Sequence, residues 1–183
     1  MGNGNTIDAR EAYIAAIKDM LAATSLDRIR VSDICARTQT NRHTFYYHFR
    51  DKYELVCAVF SQMVEGVMGS DMSARIDAEK AAQMLHALKR DLPFYKNALK
   101  YTGQQSLNHF ITHYVFQRLC ANAARRLGVI ELPEVPRYVL MYHACAMSGM
   151  LEGWVMRGAD IPEEVFMRIV LSNLPSDIKQ LYT

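Results

Sequence analysis

Cysteine is scarce: Cys35, Cys57, Cys120 and Cys145 lie far apart with no CxxC pair, which argues against a disulfide framework and a cysteine zinc site. The expected compartment is reducing cytosol. Proline is absent before Pro93, and no stretch shows strand-like alternation between turn pairs, so helix is the expected element throughout. Long hydrophobic runs are missing too. The longest, Val139 to Leu151, is broken by His143 and too short to span a bilayer, so no membrane segment is expected. No GxGxxG, GxSxG, P-loop, HExxH or paired-carboxylate motif occurs, which argues against an enzyme and against any cofactor. The start, Met1 to Thr6, matches the N-myristoylation pattern, but the pattern is permissive and the segment is read as a frayed leader.

What is present is a globular balance. Half of the 183 residues are hydrophobic and 22% charged, enough apolar surface to bury a core and far from the composition of disordered chains. Net charge is only +2, but its placement carries information. Residues 1–52 hold eight Lys/Arg against six Asp/Glu, whereas thirteen of each sign cancel over the rest, so the whole excess lies in the N-terminal segment. A basic head suits a polyanionic partner.

Apolar residues Tyr13, Ile14, Ile17, Met20 and Leu21 have the spacing of a helix with one buried face, predicting a first helix from Ile7 or Asp8 to Ala23. A polar break at 24–30 precedes a short second helix through Val31, Ile34 and Cys35, ending near Thr38. Asn41 is the expected N-cap of a short third helix to Tyr47. Asp51 then opens a long fourth helix, Lys52 to about Gly69. Further helices are expected near 74–89, 93–100, 105–127, 136–156 and 162–173, with Gly128 as a C-terminal stop and Pro136 and Pro162 in first turns. The expected fold is all-α, about nine helices, with a head at 1–52 and a helical body at 53–183.

Short helix, tight turn, short helix is the helix-turn-helix arrangement, whose second helix fits the DNA major groove. The inserted helix would be 41–47, where Arg42, His43, Thr44, Tyr46 and Tyr47 supply donors, acceptors and rings while Phe45 points inward. His109 and His113 stand four apart on another helix, but no glutamate base lies between them and no metal is expected.

The run Val31-Ser32-Asp33-Ile34-Cys35, followed by Asn41-Arg42-His43-Thr44-Phe45-Tyr46-Tyr47-His48-Phe49-Arg50-Asp51-Lys52-Tyr53-Glu54-Leu55, resembles the N-terminal domain of the TetR family of transcription regulators over residues 8–60. That resemblance implies base contacts from Arg42, His43 and Tyr46, with Ser32 from the second helix, and phosphate contacts from Thr44, Tyr47, His48, Lys52 and Arg30. The chain departs from the family at Gln39, where glycine is usual. Such a position requires a positive φ or an altered turn.

Beyond the head, Gly149, Gly153-Trp154, Gly158 and Ile161-Pro162-Glu163-Glu164 are similar to a branch of that family containing the dihydroxyacetone-kinase operon activator. The resemblance implies a cytoplasmic homodimer on double-stranded operator DNA, more commonly repressing, modulated by a small-molecule effector or a partner protein. Activation with a partner protein, or a helical scaffold that does not bind DNA, are the alternatives. The expected dimer face uses Met147, Leu151 and Val155 with Val165, Phe166, Ile169 and Val170. A ligand pocket is expected among Met63, Phe94, Tyr95, Phe110, Tyr114, Tyr142 and Trp154, although aromatic stripes at helical spacing also make plain core.

Overall fold

The computed structural model describes residues 4–71, 78–173 and 176. Among these it is all-helical: nine α-helices and one 3₁₀ turn, with no strand. The helices are α1 (Gly4–Ala23), α2 (Val31–Arg37), α3 (Arg42–His48), α4 (Lys52–Met68), α5 (Ala78–Arg90), α6 (Leu92–Leu99), α7 (Leu107–Leu127), α8 (Glu134–Met156) and α9 (Glu163–Ser172), with the 3₁₀ turn at Leu26–Arg28. The first three leader residues and positions 74–77 of the expected fifth helix lie outside the described residues. No described helix is long and apolar enough to cross a membrane.

Packing divides the chain into two units, one of residues 1–62 with 91–107 and one of 63–90 with 108–183. In the first, α1 buries Tyr13, Ile17 and Leu21 completely and lies against α6, whose Phe94, Tyr95, Ala98 and Leu99 are buried in turn. Two polar bonds fix that pairing: Lys18 Nζ meets Asp91 at 2.8 Å, and Asn97 donates to the Leu21 carbonyl at 2.8 Å, where the end of α1 leaves a carbonyl without an intrahelical partner. Phe45 and Phe49 complete the core, Phe45 meeting Tyr13 edge-on at 5.3 Å.

Helix ends in this unit follow local chemistry. The Asn41 side-chain oxygen accepts from the Thr44 amide at 2.9 Å and so starts α3. Asp51 does the same for α4, accepting from the amides of Tyr53 and Glu54 at 2.9 and 2.8 Å, while Glu54 reaches back to the Arg50 amide.

In the second unit, Phe116 and Leu119 of α7 meet Leu140 and Ala144 of α8 around Leu132. Trp154 is fully buried, its ring 5.1 Å from Phe166 of α9 and its indole N–H donating to the Ile161 carbonyl at 3.0 Å. Lys89 of α5 pairs with Glu163 of α9 at 3.1 Å. The carboxyl of Glu163 is held below the usual range, chiefly by a backbone hydrogen bond at the α9 start and then by Lys89. Gly128, at φ 66°, ends α7 in the left-handed conformation expected of a C-terminal stop.

Candidate nucleic-acid interface

Helix α3 is built from the inside outward. On α3, Phe45 is fully buried, and the spacing of a seven-residue helix then turns its neighbours to solvent. Tyr46 is 56% exposed and Tyr47 74%, beside exposed Arg42 and His43. The two rings give this short helix an apolar surface with hydroxyl tips. Thr44 and His48 are half-buried, and His48 sits edge-on to Tyr47 at 5.1 Å.

An open groove of about 560 Å³ runs along this face. Its walls are Ala9 and Ala12 of α1, the turn residues Thr38 to Asn41, and His43, Thr44, Tyr47 and His48 of α3. The alanines leave room, and the remaining residues supply hydroxyl, amide and imidazole groups. Three of the five expected phosphate contacts, Thr44, Tyr47 and His48, line this one groove. Arg30 is exposed immediately before α2, and half-buried Ser32 occupies its first turn.

Behind the groove, the Tyr13 hydroxyl donates to Thr40 Oγ1 at 2.6 Å, and Thr40 and Thr38 share a bond of 2.9 Å. Burial pushes the Tyr13 phenol above its ordinary pKa, partly offset by the Thr40 bond, so it stays neutral and able to donate.

Lys52 holds a structural position that the sequence did not reveal. Its Nζ donates to the carbonyls of Leu26 and Ile29 at 2.7 and 2.9 Å, tying the start of α4 to the 3₁₀ turn with two of its three N–H groups. Gln39, Thr38 and Thr40 were also absent from the sequence-derived set. The one signal that could have found them was the missing turn glycine.

The expected pocket residues are divided between the two units. Phe94 and Tyr95 are core of the first unit, packed edge to face at 4.9 Å, whereas Met63, Phe110, Tyr114, Tyr142 and Trp154 belong to the second. Within that unit Trp154 is sealed in the core and Tyr142 is 70% exposed.

The residues of the expected dimer face differ in burial within the single chain. Val155, Phe166 and Val170 are buried inside the single chain, because the Trp154–Phe166 contact turns that side of α8 and α9 inward. Outward-facing apolar residues are Val135, Tyr138, Val139, Tyr142, Met150 and Met156 on α8, and Val165 and Ile169 on α9. Met147 and Leu151 are half-buried. His109 and His113 are exposed, and no group of three or more metal-ligating side chains occurs among the described residues.

Comparison with known proteins agrees with this geometry. The family model for bacterial regulatory proteins of the tetR family matches residues 14–59, and that for a transcriptional regulator C-terminal region matches residues 78–175. Among curated protein sequences none matches. Among solved structures, the dihydroxyacetone kinase operon activator DhaS is similar at TM-score 0.65 and 18% identity, over 95% of this chain and 98% of that one. A tetR-family transcriptional regulator from Streptomyces coelicolor is similar at 0.52 and 14%, over 100% and 88%. RolR, in complex with its ligand resorcinol, is similar at 0.53 and 15%, over 98% and 95%. At these identities the likeness shows the fold. With one family model over the helix-turn-helix and the other over more than half of the 183 residues, the chain belongs to the tetR family of bacterial regulatory proteins, which are DNA-binding transcription factors rather than enzymes.

Proposed function

We propose that the protein binds operator DNA as a homodimer in the cytoplasm and regulates transcription, most simply as a repressor released by an effector. The observation that carries this reading is α3, seven residues long, anchored by buried Phe45 and presenting Arg42, His43, Tyr46 and Tyr47 outward from one short helix. Arg42, His43 and Tyr46, with Ser32, would read base edges. Thr44, Tyr47, His48, Arg30 and the remaining N–H of Lys52 would hold phosphates and set register. On this assignment residues 1–52 are the DNA-binding domain, and residues 53–183 carry dimerisation and effector response.

One short helix covers too little DNA for operator affinity, so two heads are required. The outward apolar residues of α8 and α9, from Tyr138 to Ile169, are the surface on which a second copy would pack. Effector binding in the second unit, with Met63, Phe110, Tyr114 and Tyr142 as candidate contacts, would shift operator affinity by a coupling free energy of about 1–3 kcal/mol. RolR takes resorcinol, which makes a small aromatic molecule one class to try first. DhaS is an operon activator, and that likeness favours activation with a partner protein as the second reading.

The test is a titration of the protein against its own upstream DNA and an unrelated duplex of equal length at two salt concentrations, alongside Tyr46→Ala. Selective, salt-sensitive binding that loses selectivity in the variant is expected. Equal affinity for both duplexes, unchanged by the substitution, would overturn the proposal.

A further inference from the structure

The turn between α2 and α3 is closed by two backbone bonds, Gln39 N to Ala36 O at 3.3 Å and Thr40 N to Cys35 O at 3.0 Å. This pair is the Schellman pattern, and it puts Gln39 at the position where helices end in the left-handed conformation. Gln39 adopts φ 54° there, a conformation that glycine enters freely and a side chain with a Cβ resists.

The flanking residues are turned inward. The Thr38 hydroxyl bonds the Ile34 carbonyl at 3.0 Å, and Thr40 accepts from Tyr13. Gln39 is exposed, and among the described residues its carboxamide has no hydrogen-bond partner. It lines the same groove as Thr44, Tyr47 and His48. A rigid turn thus holds a long neutral donor, in a strained backbone conformation, at the rim of a groove already furnished with hydroxyl and imidazole donors.

We infer that Gln39 is a DNA contact, its carboxamide N–H donating to an operator phosphate seated in the groove between α1 and α3. This rests on the operator-binding reading above. Base edges are left to Arg42, His43 and Tyr46, so the contribution of Gln39 is to affinity and register and is the same for every sequence. Being uncharged, it releases no counterion, and the salt dependence of binding does not change when it is lost.

Fold and contact respond in opposite directions to Gln39→Gly. The substitution relieves the left-handed strain, so the melting temperature stays level or rises. The phosphate contact disappears from both heads of the homodimer, so affinity for the upstream duplex falls about five- to hundredfold, the worth of two such hydrogen bonds. Gln39→Glu keeps the shape but sets a negative charge against the phosphate, and binding falls further. The experiment measures melting of wild type, Gln39→Gly and Gln39→Glu, and their binding at several salt concentrations to the upstream duplex and to a set of its single-base variants.

A uniform loss across that set, at an unchanged salt slope and with an intact or raised melting temperature, is the expected result. If wild type binds selectively and Gln39→Gly matches it within twofold, this inference alone is overturned. A loss confined to one base position overturns the phosphate assignment in favour of base reading. Failure of wild type to distinguish the upstream duplex overturns the operator-binding reading, and this inference with it.

Discussion

Replacing Lys52 by methionine keeps the stem and removes the ammonium, which isolates what its two bonds to backbone carbonyls contribute. The carbonyls of Leu26 and Ile29 belong to buried residues bracketing the 3₁₀ turn, and the ammonium reaches them at 2.7 and 2.9 Å in a partly buried setting. A hydrogen bond with a charged partner contributes about 1.5–3 kcal/mol. Because water reaches part of this site and can replace some of the loss, the two together are worth about 2–4 kcal/mol. At roughly 2–4 °C per kcal/mol for a chain of this size, the melting temperature of Lys52→Met should fall by about 4–16 °C. Thermal unfolding followed by circular dichroism measures it, at one fixed protein concentration because the proposed dimerisation would make the midpoint depend on concentration. DNA titrations of the same variant at several salt concentrations should show the slope reduced by about 1.8, about 0.9 for the phosphate that the remaining Lys52 N–H would hold in each of the two heads. A melting shift below about 2 °C would refute the reasoning, because the ammonium would then not be holding the turn.

Tyr138→Glu places a charge in the outward apolar face of α8, and sedimentation should then report a species of 20.9 kDa where wild type gives twice that mass. A variant that still sediments as a dimer would move the interface elsewhere. Cys145 is exposed on the same face, so its alkylation at neutral pH should slow as protein concentration rises and copies pair. Cys57 should resist alkylation throughout. Burial, reinforced by Asp51 and Glu54, pushes its thiol up to about 11, so its thiolate forms only as pH approaches that value. Asn41→Ala removes the cap that starts α3 and should cost about 1 kcal/mol, read as a melting shift of a few degrees, with a loss of DNA affinity from fraying of the recognition helix.

Much of this architecture was legible in the sequence because its signals are local. The Asn41 and Asp51 caps, the Gly128 stop and the apolar spacing of α1 placed helix ends within a few residues, and Phe45 was legible as the inward residue of α3. Other features depend on contacts between distant residues, which periodicity cannot carry. Phe94 and Tyr95 read equally well as pocket lining or core, and only the packing of α6 on α1 makes them core of the first unit. On α8 apolar residues occur all round the helix, so the pattern does not choose an outward face. The burial of Trp154 against Phe166 makes that choice, turning Val155 inward and Tyr138 and Tyr142 outward. For Lys52 the resemblance implied a phosphate contact and nothing of its carbonyl partners, which lie 23 and 26 residues earlier in the chain.

The central claim is that two copies of this head together grip a specific DNA sequence. Hydroxyl-radical footprinting of the upstream duplex tests it most directly, because it reads the contacted sugars one by one. The account predicts two protected half-sites related by a two-fold axis, their centres one helical turn of about 34–36 Å or a multiple of it apart, both lost together in Tyr138→Glu. A single protected stretch, or protection spread evenly along the duplex and unaffected by that substitution, would contradict it.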